Sequence, residues 1–100
     1  MFRIDSVEYF RCTKQGWETD IGILWEYGGF NFYISETPDG MKYYCTEAKT
    51  GSLVYYDYIL NCVYDKVKEL VEQYDFAVLI NNAIETTGLS PLYKEKPMPD

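Results

Sequence analysis

The amino-acid sequence predicts an α+β fold: an antiparallel β-meander of four to five strands packed against one or two C-terminal α-helices. Three observations predict it. Glycine-bearing turn signals recur about every ten residues from Lys14 to Gly51. The segments between them are rich in β-branched and aromatic residues. Beyond Tyr58 the apolar residues change from alternate spacing to the three-and-four spacing of a helix.

Taken in order, Lys14-Gln15-Gly16 separates the run Val7 to Cys12 from a stretch that opens at Trp17 and reads as strand from Ile21 to Glu26. Tyr27-Gly28-Gly29 follows, and two adjacent glycines supply the positive φ values of a tight hairpin. Thr37-Pro38-Asp39-Gly40 places proline where a fixed φ is wanted and glycine at the end of the turn. It divides Phe30 to Ser35 from Met41 to Thr46, and Lys49-Thr50-Gly51 leads into Leu53 to Asp57. Period two assigns Phe30, Phe32 and Ile34 to a core face, with Ile21, Ile23 and Trp25, and Met41, Tyr43 and Cys45, on the neighbouring runs. The opposite positions include Tyr33 and Tyr44, so the outer face is not wholly polar. That points to a covering element or to an exposed adhesive surface.

Asn61 is a candidate N-cap for a helix whose apolar stripe is Val63, Val67, Leu70, Val71 and Tyr74. The run Phe76 to Ile80 suits a buried strand or a helix. Phe76, Leu79, Ile80, Ala83 and Ile84 share one helical face and Gly88 provides a stop, so a second helix is expected. No Gly or Pro between Asn61 and Thr87 prevents the two from being continuous. Residues 1–88 are read as one domain, and 89–100, with Pro91, Pro97 and Pro99, as an extended tail in which Tyr93 and Met98 offer a docking motif.

The composition then narrows function. Hydrophobic residues make up 47% of the 100-residue chain and aromatics 18%, which excludes a disordered chain. Eleven tyrosines suit a half-buried sheet or a contact surface. The net charge of −7 argues against nucleic acid and anionic membrane as direct partners. Cys12, Cys45 and Cys62 are odd in number and widely spaced, which implies free, mostly buried thiols in a reducing compartment. The opening Met1-Phe2-Arg3-Ile4-Asp5 lacks the apolar core of a signal peptide, and the cytoplasm is the expected location. No histidine occurs, which removes Ser-His-Asp and Cys-His catalysis and the commonest zinc ligand. No phosphate-binding glycine loop or calcium loop is present. The expectation is therefore no enzyme, no metal and no cofactor.

The acids are unevenly placed. Glu18, Asp20, Glu26, Glu36 and Asp39 lie between Lys14 and Lys42 without an intervening base, and Glu69, Glu72, Asp75 and Glu85 lie between Lys68 and Lys94. On the first helix Asp65, Glu69 and Glu72 form one line. These three, with Glu18, Asp20, Glu36 and Asp39 as a second patch, are the candidate partner-binding residues. The expected function is a non-catalytic, acidic, tyrosine-rich domain that binds a basic protein surface. Its narrower version is a small phage-type inhibitor that blocks the groove of a nucleic-acid-binding defence enzyme. The alternatives are a small-ligand module and a self-assembling accessory subunit.

Overall fold

The computed structural model describes residues 6–91. Five strands, β1 (Val7–Thr13), β2 (Gly16–Tyr27), β3 (Phe30–Glu36), β4 (Tyr43–Glu47) and β5 (Leu53–Asp57), precede helices α1 (Leu60–Gln73) and α2 (Phe76–Thr87). The strands lie in sequence order in one antiparallel sheet. The α+β arrangement is the one the turn spacing predicts.

The register aligns Trp25 with Phe32, and Ile34 with Cys45, which in turn meets Tyr55. Side chains alternate between the faces of a strand, so these residues share one face. Both helices close over it. Phe32, Ile34, Cys45, Val63, Val67, Phe76 and Ile80 are buried together, with Trp25, Tyr27, Phe30, Tyr43 and Tyr55 packed around them. Phe76 reaches from α2 to Phe30 and Phe32, with ring centroids 5.1 and 5.7 Å apart, and Tyr64 of α1 meets Trp25 edge-on at 4.7 Å. Each large apolar side chain so buried contributes about 1.5–3 kcal/mol before entropy is counted.

The opposite face is covered by the chain's own N-terminal hairpin. β2 is 12 residues long, and it changes partners along its length. Its second half pairs with β3, and its first half pairs with β1. The strand bends at Gly22, where an added Cβ would lie 2.6 Å from Ser35 Oγ and 2.8 Å from the Ile34 carbonyl oxygen. The bend carries β1 across β3 and β4. Tyr9 stacks flat on Tyr33 at 4.3 Å. The Ser35 hydroxyl donates to the Ile21 carbonyl at 2.8 Å, so the Tyr9 hydroxyl donates to Ser35 Oγ at 2.7 Å. The Cys12 N–H donates to the Gly51 carbonyl at 2.8 Å, tying the end of β1 to the approach of β5. The aromatic content of the outer face thus reflects a covering element, and the molecule has three layers: hairpin, sheet and helices.

Several expectations need correction. β2 begins at Gly16 rather than near Ile21; of the three residues expected in the core, Trp25 packs against it, Ile23 is half-buried, and Ile21, on the hairpin beyond the bend, is exposed. Met41 stands before β4 and is exposed. Ile59, not Asn61, occupies the N-cap of α1, without a side-chain cap. Asp57 Oδ1 instead accepts the Ile59 N–H at 3.1 Å, which fixes the chain one step before the helix. The helices are not continuous. Asp75 interrupts them and caps α2 by accepting the Val78 N–H. Tyr74 and Leu79, expected on apolar stripes, are exposed, although Phe76 and Ile80 on either side of Leu79 are buried. Of the three thiols Cys45 is buried, Cys12 half-buried and Cys62 exposed. Gly88, at φ +88°, ends α2 as expected. Within the expected tail Ser90 is buried and its N–H donates to the Lys49 carbonyl at 2.7 Å. Tyr93 and Met98 lie outside the described residues.

Candidate functional site

In the first acidic stretch Asp20 is half-buried, while Glu18 and Asp39 are exposed but held by neighbouring groups. Arg11 on β1 faces Glu18 and Asp20 on β2, with nitrogen–oxygen distances of 3.3 Å to each. The hydroxyl of Tyr44, on the sheet below, also donates to Asp20. Burial and that bond to Asp20 push the Tyr44 hydroxyl well above the usual tyrosine range. Asp20 therefore latches the hairpin to the sheet. Asp39 Oδ1 accepts the Thr37 hydroxyl and, at 3.0 Å, the Met41 N–H, closing the β3–β4 turn. The Thr37 bond first, then the Met41 N–H, holds its carboxyl below the usual range. Glu36 is half-buried at the end of β3, beside Tyr43 of β4.

The helical acids are placed differently. Asp65, Glu69 and Glu72 are all exposed on α1. Glu69 meets Lys66 at 3.6 Å. Glu72 accepts the Tyr27 hydroxyl, and this bond is the chief cause of that phenol's raised pKa. Lys68 Nζ sits 5.8 Å from the centre of the same ring. An added Cβ at Gly28 would lie 2.9 Å from Val71 Cγ1, so the β2–β3 turn seats directly against α1. The sheet separates the two acidic groups. Asp20, bound to Tyr44 on the outer face, lies on the opposite side from α1. The candidate residues form two surfaces and not one.

The sequence reading missed a third feature, the concentration of exposed apolar side chains around β5. Leu53, Tyr56, Tyr58, Ile59, Tyr74 and Leu79 are each more than half exposed. A groove of about 320 Å³ on the hairpin side is lined by Arg11, Pro38, Lys42, Tyr44, Leu53 and Tyr56. A second, of about 240 Å³ on the helix side, is lined by Leu53, Val54, Leu70, Tyr74, Phe76 and Leu79. Lys42 Nζ rests 5.4 and 5.2 Å from the ring centres of Tyr56 and Tyr58. The available signal was positional: the last strand of a meander is an edge.

The Glu47 carboxylate is buried and accepts the N–H groups of Lys49 and Thr50 and the Thr50 hydroxyl at 2.8–3.0 Å, which shapes the β4–β5 turn. Among the described residues no group of three or more Cys, Asp or Glu is arranged to hold a metal ion. No helix among them is long and apolar enough to cross a membrane. Compared with family models, with curated proteins and with solved structures, the chain matches none.

Proposed function

We propose that the chain is a non-catalytic protein-binding domain that meets a basic partner through the outer face of α1. One observation carries this reading: Asp65, Glu69 and Glu72 are exposed together along one helix anchored to the sheet, whereas Asp20 is half-buried between Arg11 and Tyr44, and the exposed Glu18 and Asp39 are tied to Arg11 and to the β3–β4 turn. A rise of 1.5 Å per residue spreads the three carboxylates over about 10 Å. Carboxylates held on a packed helix are ready to accept charge-assisted hydrogen bonds from Lys and Arg. In its narrower form the partner is a nucleic-acid-binding enzyme, and the acidic face occupies its basic groove as a small phage-type inhibitor would.

The test begins with the partner captured from the native host and identified by mass spectrometry. The variant Asp65→Lys/Glu69→Lys/Glu72→Gln removes the acidic line while leaving position 72 able to accept the Tyr27 hydroxyl. Its stability should change by less than about 0.5 kcal/mol per site, as exposed substitutions do. Its affinity for the partner should fall at least about tenfold, and wild-type affinity should weaken as salt rises from about 50 to about 500 mM. An affinity unchanged by both would refute the α1 contact.

A further inference from the structure

We infer that β5 is the seam of a homodimer, in which the β5 edges of two copies pair antiparallel across a two-fold axis to form one continuous sheet. β5 ends the sheet, with β4 on one side and no strand on the other among the described residues. Natural edge strands are usually blunted by charge, proline, bulges or a covering segment. Between Leu53 and Tyr56 there is neither a charged residue nor a proline; Asp57 closes the strand, and the register shift leaves Val54 as the extra residue of a bulge in β5. The other edge contrasts with it. β1 carries Glu8 and Arg11, and its Cys12 N–H is already bonded to Gly51.

The flanks of β5 favour an added strand. The two grooves open on opposite faces of the sheet and share Leu53 between them. Successive side chains of an incoming strand point to opposite faces, so they would enter the two grooves in turn.

A second copy is the occupant that needs no further assumption about a partner's sequence. Antiparallel pairing of one strand with itself is two-fold symmetric, and a two-fold contact is self-complementary by construction. The available area is also of the right order. Aromatic side chains offer about 150–250 Å² each, so the exposed halves of Tyr56, Tyr58 and Tyr74 with Leu53 and Leu79 present roughly 500 Å² per copy. Two copies reach about 1,000 Å² before the strand backbone is counted, the small end of specific interfaces, so association should be concentration-dependent. The two-fold axis stands normal to the sheet, so both α1 helices fall on the same side and the dimer displays two acidic faces together.

Electrostatics separate this inference from the α1 reading. Each copy carries −7, so added salt should tighten the dimer, whereas it should weaken binding to a basic partner. The experiment is sedimentation velocity on the wild-type protein from about 1 μM to about 1 mM, with hydrogen exchange at both ends of the range. The expected result is a mass rising from 11.8 kDa to twice that value, with β5 amides protected only in the larger species. Leu53→Glu and Leu79→Glu change exposed side chains on the two sides of the seam, and each should raise the dissociation constant at least tenfold. A monomer throughout the range would overturn the inference and leave the edge to another protein's strand. So would a dimer that tolerates both variants, or one whose β5 amides still exchange freely. The α1 variant should still dimerise, so either reading can fail without the other.

Discussion

Replacing Gly22 with alanine tests the three-layer architecture at its tightest point. In an ordinary strand this change should stabilise, because alanine restricts the unfolded chain by about 0.4–1 kcal/mol more than glycine. At Gly22 the new Cβ would stand 2.6 Å from Ser35 Oγ, 2.8 Å from the Ile34 carbonyl oxygen and 3.1 Å from Tyr9 Cε1. The carbonyl belongs to β3, a central strand, and has no room to retreat. Overpacking of this kind costs about 1–3 kcal/mol. Ser35 can rotate away only by giving up its bonds to Ile21 and Tyr9, at about 1 kcal/mol each. After subtracting the unfolded-state gain, Gly22→Ala should destabilise by about 2–4 kcal/mol, a large part of the 5–15 kcal/mol typical of a domain. Urea unfolding followed by far-UV circular dichroism and tryptophan fluorescence would measure it, since Trp17 lies in the hairpin and Trp25 in the core. In the double variant with Ser35→Ala, part of the loss should return, because one of the two closest contacts is gone. A neutral or stabilising Gly22→Ala would mean that the hairpin does not fold tightly over the sheet, and the description of the outer face would be wrong.

Two further predictions concern groups that the layers protect. In the folded protein Ellman's reagent should modify Cys62 rapidly and Cys12 slowly, and should reach Cys45 only on unfolding, since it is fully buried; rapid reaction of Cys45 at low denaturant would contradict the packed core. Burial raises both the Cys45 thiol and the Tyr9 hydroxyl above their ordinary values. Their protons are retained in the folded state but lost from the unfolded chain above about pH 8.5 for the thiol and about pH 10 for the phenol. Stability from these groups is therefore fully present at neutral pH and declines as pH rises, by up to about 1.4 kcal/mol per unit for each retained proton. Urea midpoints measured up to about pH 11 should fall, and the fall should be shallower in Tyr9→Phe; a flat profile would contradict the burial of both groups.

Strand order and the core face were legible because they follow from local rules. Phe30, Phe32 and Ile34 alternate cleanly, and each glycine turn returns the chain beside its predecessor. The bend at Gly22 was not legible. Its cause is a close approach to Ser35 and Ile34, more than ten residues away, and nothing in the alternation from Gly16 to Tyr27 marks where β2 changes partners. The break between the helices was signalled by a capping residue, Asp75, ahead of an apolar run, rather than by the Gly or Pro usually sought. Tyr74 and Leu79 obey the helical period and are exposed all the same. Period assigns a residue to a stripe but does not say which positions of the stripe the core covers.

The acids show why charge read from sequence differs from charge offered at a surface. Glu18, Asp20 and Asp39 contribute to the same formal −7 as Asp65, Glu69 and Glu72. A hairpin folded over a polar-aromatic face needs anchors, however, and Arg11 and Tyr44 supply them by engaging Glu18 and Asp20, while Asp39 closes the β3–β4 turn. Half-buried Asp20 acts mainly on the fold, and a partner could recruit it only by breaking the latch. Removing Asp20 should therefore loosen the hairpin, while removing Asp65 should leave the fold as it is. On α1 Glu69 meets Lys66 and Glu72 accepts the Tyr27 hydroxyl, yet all three acids remain exposed. Recognition by charge thus falls to the helix, and the open edge at β5 is where apolar surface meets an unpaired backbone. The two surfaces call for opposite responses to salt, and that opposition is what makes their roles separable by measurement.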